Sequence, residues 1–470
     1  MSSPSLDIAS EPFLGDKSFH WISNATIPGS QPDVRWDIET RDGKIRELHP
    51  PDERKRQYVR ERGATMIGAA GALVAPSLCH PHVHLDKAFL LAHTRYSHLQ
   101  IEEGTFAEAM ELTSQAKANF EHADLLERGS RLLDESIAAG VTHMRAFVEV
   151  DPIVNLTCLK AGCEIKQRYQ QDCRVQLCAF AQLPLFTGED GGEEIRRLMK
   201  EALRDEYSAE AVGSTPYVEE DRSKMEQNVD WLIDLALEHD KHLDFHLDYN
   251  LDPHVEPLVW HVLKSLKDKD WNRRSTKTIV FGHCTRLTLF SPEEWRRLKD
   301  EIGQLPVSFV GLPTSDLYMM KTETGARATL NVPQIIKEYS LNAAIGMNNI
   351  GNAFTPQGCC DPLYLANLGV GVYQAGTVQD AEMLYECIST RARHAIGFGR
   401  PPDEVSETHG PFGVRLYERQ SADLVVFSPR VYESQHPIGP IFREGWDTVR
   451  KISDAVYLYN GAKRRSCLGA

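Results

Sequence analysis

Eight short apolar segments alternate with longer amphipathic segments between about residues 73 and 400, and this alternation constrains the fold more than any other feature of the sequence. Short apolar runs predict buried strands, and the amphipathic stretches between them predict helices that cover a sheet. The predicted strands are 72–76, 141–150, 174–180, 211–213, 242–246, 278–281, 306–310 and 342–347. Eight such strands predict a parallel (β/α)8 TIM barrel of the α/β class, with an open doubly wound sheet as the alternative.

The segments between these strands have the periodicity of helices that pack one face on a sheet. In the segment 123–139, five apolar side chains recur at helical spacing, namely Leu125, Leu126, Leu132, Leu133 and Ile137. Gly140 follows directly, and glycine commonly ends a helix. Further helices are predicted at 159–169, 193–203, 225–238 and 292–302.

Both ends of the chain depart from the barrel pattern. Short strand-like pieces occur at 21–26, 34–38, 44–48, 423–427, 448–452 and 455–459. An Asn460-Gly461 turn follows the last of them, and Asn-Gly is a strong hairpin signal. We therefore predict a small β-sandwich domain built from residues 1–72 and 403–470, beside a barrel of residues 73–402 that ends at Pro401-Pro402.

The composition excludes several classes of protein. A formal charge of −15 argues against a nucleic-acid or anionic-membrane surface, which requires clustered lysine and arginine. No apolar run approaches the roughly 18 residues of a spanning helix, and the N-terminus lacks the features of a secretory signal. The ten cysteines form no CxxC pair, as expected of thiols in a reducing compartment. We expect a cytoplasmic protein.

Histidines lie at the carboxyl ends of several predicted strands. His82 and His84 follow the first strand, and imidazoles at positions i and i+2 of an extended segment point to the same side. His246 ends the fifth strand and His283 follows the sixth. Taken singly, each is better explained as a hydrogen-bonded core or loop residue. Together they predict a metal site, because barrel chemistry sits at this end and neutral imidazole is a common metal ligand.

Seven short motifs and a closing strand follow one another in a distinctive order. They are Pro81-His82-Val83-His84-Leu85-Asp86-Lys87, Gly140-Val141-Thr142-His143-Met144-Arg145, Ala179-Phe180-Ala181-Gln182, Val212-Gly213-Ser214-Thr215-Pro216, His246-Leu247-Asp248, Gly282-His283-Cys284-Thr285, Gly346-Met347-Asn348-Asn349-Ile350 and Ala422-Asp423-Leu424-Val425-Val426-Phe427. In order and spacing they resemble the amidohydrolase superfamily, in the branch that contains bacterial cytosine deaminase and N-isopropylammelide amidohydrolase. The resemblance runs from about residue 20 to the C-terminus.

The resemblance implies a role for each of these polar residues. The histidines matching His82, His84 and His246 hold one divalent metal in the family, and the one matching His283 contacts the attacking water or the substrate. Gln182 matches a glutamine that hydrogen-bonds a heterocycle. Phe147 and Asn349 are further candidates for substrate binding. We favour Zn²⁺ slightly over Fe²⁺, since imidazole suits both ions, and a protein without bound metal is the remaining alternative.

Three positions depart from the family pattern. Asn348 stands where the family has a strand-8 aspartate that binds the metal and accepts a proton. Tyr249 replaces a glutamate that shuttles protons in the deaminases. After strand 2, the sequence Arg145-Ala146-Phe147-Val148-Glu149 replaces the usual Arg-Thr-His-Val-Asp. Because an amide cannot accept a proton at neutral pH, Asp248 or Glu149 is considered as a substitute base.

These observations predict a metal-dependent hydrolase that acts on a non-peptide C–N bond of a small, cyclic, nitrogenous substrate. His82, His84, His246 and Asn348 are the expected metal ligands, and His283, Asn348, Tyr249 and Asp248 are the catalytic candidates. The alternatives are a non-hydrolytic isomerase, lyase or cyclase, and an inactive pseudoenzyme, because both family carboxylates are replaced. We expect a small-molecule substrate and no nucleic-acid or membrane partner, and a homo-oligomer remains open.

Overall fold

The small β-domain is formed by strands from both ends of the chain. The computed structural model describes residues 19–31, 33–399, 412–427 and 465–468. The elements that belong to this domain are β1 (Phe19–Ala25), β2 (Trp36–Arg41), β3 (Lys44–His49), α1 (Glu53–Glu61), β4 (Thr65–Gly68), β5 (Leu73–Pro76), β14 (Leu424–Phe427) and β15 (Arg465–Leu468). They make a four-stranded sheet in the order β3-β2-β1-β4 and a three-stranded sheet in the order β15-β14-β5. Side chains of both sheets, such as Ile22, Ile38 and Leu424, meet in one core, as predicted.

Eight parallel strands form the barrel and confirm the predicted fold class. They are β6 (Leu78–His84), β7 (Val141–Glu149), β8 (Arg174–Ala181), β9 (Ala209–Ser214), β10 (His242–Leu247), β11 (Ile279–His283), β12 (Val307–Gly311) and β13 (Ala343–Ile345). Neighbours in the sheet follow chain order. The circle closes where the N–H of Asn348 donates to the carbonyl of His82 at 2.9 Å, and the N–H of His84 donates to the carbonyl of Asn348 at 2.8 Å.

Helices surround the barrel and connect its strands. They are α2 (Phe106–Lys117), α3 (His122–Ala138), α4 (Thr157–Arg168), α5 (Glu193–Ala202), α6 (Arg222–Glu238), α7 (Val259–Asp268), α8 (Trp271–Arg274), α9 (Pro292–Ile302), α10 (Pro313–Met319), α11 (Val332–Tyr339), α12 (Pro362–Val372), α13 (Val378–Cys387) and α14 (Thr390–Ala395). A reciprocal cap between Glu121 and Asp124 begins α3, and Gly140 follows its end with a φ of +98°, which glycine adopts readily. Within the described residues, no helix is long and apolar enough to cross a membrane.

The predicted first barrel strand, 72–76, is wrong. Residues Leu73–Pro76 form β5, which pairs antiparallel with β14 in the small domain, and the first barrel strand is Leu78–His84. His82 and His84 therefore lie within a strand. The other seven barrel strands agree with prediction to within a few residues, and so do the five predicted helices. The predicted strands 448–452 and 455–459, the Asn460-Gly461 turn and the Pro401-Pro402 boundary lie outside the described residues.

Candidate metal and substrate site

Three histidine rings converge at the carboxyl end of the barrel. Strand β6 carries His82 and His84, and β10 carries His246 one residue before its end. The Nε2 atom of His246 lies 3.1 Å from Nε2 of His82 and 3.1 Å from Nε2 of His84. All three side chains are buried. Gly282 and Gly346 leave room for this cluster, because a Cβ atom on either would come within about 3.1 Å of His82.

The geometry of the three nitrogens fits a divalent ion. Metal–nitrogen bonds of 2.0–2.1 Å place two ligands of a tetrahedral site about 3.3 Å apart, close to the separations found here. Burial, together with the nearby histidines and Lys87, holds the pKa of all three imidazoles well below the usual value. They are therefore neutral, which is the form that binds metals. His246 has a single Nε2 atom for two imidazole neighbours, so hydrogen bonds alone account poorly for the cluster.

Aromatic packing holds the histidine rings in place. Their Nδ1 atoms have no hydrogen-bond partner within the described residues. The Phe147 ring lies 4.2 Å from the ring of His82, and the Phe180 ring lies 4.4 Å from that of His246, measured between centroids. Phe147 does not belong to the cavity lining in the described part of the chain. The arrangement gives it a position behind the ligands, and its predicted contact with substrate has no support from this placement.

Asn348 and His283 complete the polar side of the site. Asn348 has a φ of +62°, a left-handed conformation that asparagine tolerates well, and its Oδ1 has no hydrogen-bond partner among the described residues. The Nδ1 atom of His283 lies 2.8 Å from Oδ1 of Asp316, a buried residue of α10. An ionised carboxylate only accepts, so Nδ1 carries the proton and Nε2 of His283 remains an acceptor.

Tyr249 packs against His283 and belongs to an aromatic wall. The two ring centroids are 3.9 Å apart. Burial, with Asp316 and Tyr217 nearby, raises the pKa of Tyr249 well above its usual value. Its hydroxyl therefore stays protonated and can only donate a proton or a hydrogen bond. The wall continues with Phe106 from α2, Tyr217 and Phe354.

A buried charged cluster lies beside the histidines. The ammonium of Lys87 is 3.2 Å from Oε1 of Gln182 and 2.5 Å from Oε1 of Glu149. The other oxygen of Glu149 contacts Lys117, which also pairs with Asp151. Although burial opposes ionisation of Glu149, the two lysines lower its pKa to about 2. Glu149 is therefore an ionised partner of two lysines, an arrangement that makes it a poor base.

These residues enclose a cavity of about 290 Å³, including space open to solvent. Its lining comprises His84, Lys87, Phe106, Gln182, Tyr217, His246, Tyr249, His283, Asn348, Asn349 and Phe354.

The chain is similar to enzymes that act on small nitrogenous compounds. No family model matches the sequence. It is 23% identical over 371 residues to the N-isopropylammelide isopropyl amidohydrolase of Pseudomonas sp. (strain ADP), covering 77% of this chain and 81% of that protein. A 5-methylcytosine deaminase from Klebsiella pneumoniae, liganded with 5-fluorocytosine, superimposes with a TM-score of 0.70 at 21% identity, covering 86% of this chain and 90% of the other. These relatives are members of the amidohydrolase superfamily, which the sequence of this chain resembles.

Two more solved structures of the amidohydrolase superfamily resemble this chain. The N-isopropylammelide isopropylaminohydrolase of Burkholderia multivorans ATCC 17616 has a TM-score of 0.67 at 19% identity, covering 87% of this chain and 91% of that one. A mutant atrazine chlorohydrolase from Arthrobacter aurescens TC1, complexed with zinc and atraton, has a TM-score of 0.61 at 14% identity, covering 95% and 92% of the two chains. At these identities the structural likeness establishes the shared fold.

Most of the predicted site residues meet in one place, but Asp248 does not. Its carboxylate accepts the backbone N–H groups of Leu258, at 2.7 Å, and Val259, at 3.1 Å, at the start of α7. Burial raises the pKa of Asp248 to about 6. It lies outside the cavity lining, so its position gives the predicted role as a base no support. Asn349 does line the cavity, and its Oδ1 accepts the side-chain N–H of Asn352 at 2.7 Å.

Several residues of the site, among them Phe106, Tyr217, Phe354 and Asp316, were not singled out from the sequence. Phe106, Tyr217 and Phe354 come from connecting segments whose position depends on tertiary packing, and a lone aromatic residue gives no signal there. Asp316 did offer one, because it follows the end of β12, at the end of the barrel where catalytic groups are expected.

Proposed function

We propose that this protein is a cytoplasmic metal-dependent hydrolase that acts on a non-peptide C–N bond of a small, cyclic, nitrogenous compound. The observation that carries the proposal is the convergence of three neutral imidazole nitrogens beside His283, at a cavity lined by two of these histidines. The named activities of an amidohydrolase and a deaminase among its relatives support this kind of reaction. Zn²⁺ is the favoured ion, and Fe²⁺ is the alternative.

The residues divide the chemistry among them. A divalent ion held by His82, His84 and His246 would act as a Lewis acid and lower the pKa of bound water from 15.7 towards about 7. His283 accepts the proton of the attacking water at Nε2, and Asp316 stabilises the imidazolium that results. Asn348 offers a neutral amide oxygen where the family has a carboxylate. The imidazolium of His283 returns its proton to the leaving nitrogen, and the hydroxyl of Tyr249 donates a hydrogen bond to the same nitrogen.

A non-hydrolytic isomerase, lyase or cyclase is the second candidate. In the described part of the chain, the cavity lining contains no carboxylate. His283 is therefore the residue that remains to accept and return protons. This observation favours a reaction that needs charge stabilisation more than proton shuttling. An inactive pseudoenzyme is less well supported, because a site without chemistry has no need for three converging imidazoles.

Elemental analysis of the protein purified without chelator tests the metal. We expect about one equivalent of a divalent metal per chain, because three buried imidazoles form a competent site. His246→Asn should abolish binding. His80→Asn is the matched control, since His80 is equally buried in β6 but contacts the carbonyl of Cys360 at 3.2 Å. Substoichiometric metal that added Zn²⁺ does not restore would contradict the proposal.

Reaction type is tested on the metal-loaded protein. A panel of cyclic amides and aminotriazines should reveal hydrolysis, detected as a ring-opened product, a released amine or ammonia. Incorporation of ¹⁸O from labelled water into the product identifies hydrolysis directly. Turnover of a panel compound without incorporation would instead support the isomerase, lyase or cyclase.

A further inference from the structure

The cavity has an unusual charge for a site of this kind. Among the side chains that line it in the described part of the chain, Lys87 is the one cation, and no aspartate or glutamate belongs to the lining, since Glu149, its ion-pair partner, lies behind it. By the sequence resemblance, Asn348 takes the place of an aspartate and Tyr249 takes the place of a glutamate, so both changes remove a negative charge. A bound ligand therefore meets neutral amides, hydroxyls and imidazoles, together with one ammonium group.

Two described side chains contact the ammonium group of Lys87. Gln182 accepts a hydrogen bond from it and Glu149 forms an ion pair with it, and an ammonium has three N–H donors. Glu149 does not line the cavity, and it is shared with Lys117. Behind the lining, Lys87 and Lys117 form ion pairs with Glu149, and Lys117 also pairs with Asp151. Asp86 is buried and does not line the cavity. One N–H of Lys87 is thus left for an acceptor on a ligand.

The expected metal ligands also bring no negative charge to the cavity. Three neutral imidazoles and the neutral amide of Asn348 compensate none of the charge of a divalent ion. An aspartate at position 348 would compensate part of it. A ligand that brings its own negative charge is favoured in such a site, because opposite charges attract strongly where water is excluded.

The walls of the cavity are flat aromatic rings. The centroid of Phe106 lies 5.7 Å from that of Phe354, 6.1 Å from that of Tyr249 and 6.3 Å from that of Tyr217. The ammonium of Lys87 is 5.2 Å from the centroid of Phe354, at the edge of this wall. Aromatic rings favour stacking against another planar ring, and a puckered saturated ring makes poorer contact.

We propose that the cavity selects a planar ring that carries a negative charge, with an anionic oxygen at its edge bound by Lys87 and Gln182. The inference rests on the proposed function and narrows its substrate class from cyclic nitrogen compounds to anionic planar ones. It concerns ligand binding, so it can be tested without turnover.

Calorimetric titration of the metal-loaded protein with two matched pairs of compounds tests charge and planarity separately. Barbiturate is an anion at neutral pH and uracil is a neutral ring of similar size. We expect barbiturate to bind at least about tenfold more tightly, since a hydrogen bond to a charged group contributes that much. Benzoate should bind more tightly than cyclohexanecarboxylate. Equal or tighter binding of uracil, or no detectable binding of barbiturate at millimolar concentration, would overturn the charge selection. Equal binding of benzoate and cyclohexanecarboxylate would overturn the proposed selection for a planar ring.

Two variants locate the charge effect. Lys87→Met should reduce barbiturate affinity about tenfold and leave uracil unchanged. Lys117→Met is the matched control, because it removes a buried ammonium from the same partner, Glu149, outside the lining. Asn348→Asp keeps Lys87 in place and should also weaken barbiturate relative to uracil. A barbiturate preference that survives both Lys87→Met and Asn348→Asp would contradict the assignment.

The same titrations on metal-free protein separate this inference from the proposed function. If the protein holds no metal, the metalloenzyme proposal fails, and the preference for barbiturate should persist through Lys87 at reduced size. If metal binds but uracil and barbiturate bind equally, the metalloenzyme proposal stands and the anionic substrate class is wrong.

Discussion

Asn348 combines a structural role with a chemical one in a single residue. Its backbone closes the barrel between β13 and β6, and its side chain faces the cavity beside the histidines. The left-handed backbone conformation, with a φ of +62°, narrows the choice to a few residue types, of which asparagine and aspartate are two. Asparagine at position 348 can therefore be replaced by aspartate, which adds a charge, without disturbing the backbone.

Asn348→Asp should raise metal affinity, by roughly tenfold or more, because a charged ligand replaces a neutral one. Hydrolysis of a cyclic amide or aminotriazine should then appear or increase, since the carboxylate can also accept a proton. Metal titration and a product assay measure the two effects. Asn155→Asp is the control, because Asn155 is exposed and also left-handed, with a φ of +49°. Unchanged metal content and unchanged turnover would mean that position 348 does not act on the metal.

Cytosine should be a poor substrate or none. A deaminase must deliver a proton to departing ammonia, and by the sequence resemblance Tyr249 takes the place of the carboxylic acid that does so. The pKa of Tyr249 is raised by burial, so its hydroxyl is a weak acid stacked on His283. Ammonia release in the presence of cytosine, measured at matched metal content, decides the matter. Release at an ordinary enzymatic rate would show that another group has taken over the proton transfer.

At the scale of elements, each polar group of the site is supported by the element next to it in the barrel. Asp316 at the start of α10 accepts from His283 and also from the hydroxyl of Thr329 at 2.7 Å. The helix that follows β12 thus sets the protonation of a histidine from β11. Such partners usually affect activity almost as much as the residues they hold.

Asp316→Asn should lower kcat for the hydrolysis assay about 10- to 100-fold, because the amide can donate to Nδ1 and so move the ring proton to Nε2. The ¹⁵N shifts of the His283 ring should report the exchange of tautomers, which a purely structural role would not cause. Asp316→Glu tests partial rescue, since it keeps an acceptor. Unaltered ¹⁵N shifts together with an unaltered kcat would show that Asp316 does not set the tautomer of His283.

The strands show where sequence patterns succeed and where they fail. Strand β7 is buried over all nine of its residues, from Val141 to Glu149, and its apolar run announced it. Strand β6 is equally buried, yet histidines interrupt the apolar residues of its sequence, Leu-Cys-His-Pro-His-Val-His. Apolar periodicity cannot detect a strand whose buried faces are occupied by neutral histidines. The prediction therefore moved one strand upstream, to the apolar residues that belong to the small domain.

The site was predictable where it depended on strand ends and not where it depended on loops. The positions of His246 and His283 follow from strand order, and His82 and His84 were placed at the correct end of the barrel although their strand was assigned wrongly. Asp248 was included for the same reason, but the turn after β10 directs its carboxylate to the N–H groups at the start of α7. The direction of a side chain after the end of a strand depends on loop geometry, which the sequence pattern does not contain.

At the scale of the whole molecule, the small domain has its own buried ionic centre. Asp37 on β2 accepts from Arg56 of α1 at 2.7 Å, from the indole of Trp21 at 3.2 Å and from the N–H of Asn24 at 2.9 Å. Burial opposes ionisation of Asp37, but these bonds outweigh it and hold its pKa below the usual value. The ionised carboxylate thus ties β1, β2 and α1 together.

Asp37→Asn should destabilise the small domain at pH 7 by about 3 kcal/mol, because it leaves Arg56 without its buried partner. A lowered folded-state pKa contributes stability above the unfolded-state pKa of about 3.9, and this contribution is lost as the pH falls below it. The difference in Tm between the native protein and the variant should therefore shrink below about pH 4. Asp42→Asn is the control, since Asp42 is exposed and forms only a 3.9 Å surface pair with Arg46. A difference that is independent of pH would contradict the assigned ionisation.

The hydrogen bonds that close the barrel join residues that are synthesised far apart in time. His82 and His84 are translated early, whereas Asn348, whose backbone completes their strand, follows only after about 260 further residues, or roughly 15 to 50 seconds of synthesis. Until Asn348 is added, β6 lacks the hydrogen bonds that close the barrel. A divalent ion held by the three histidines would therefore be bound tightly only once the chain has passed residue 348. A nascent chain stalled before residue 348 should hold metal weakly and exchange it quickly.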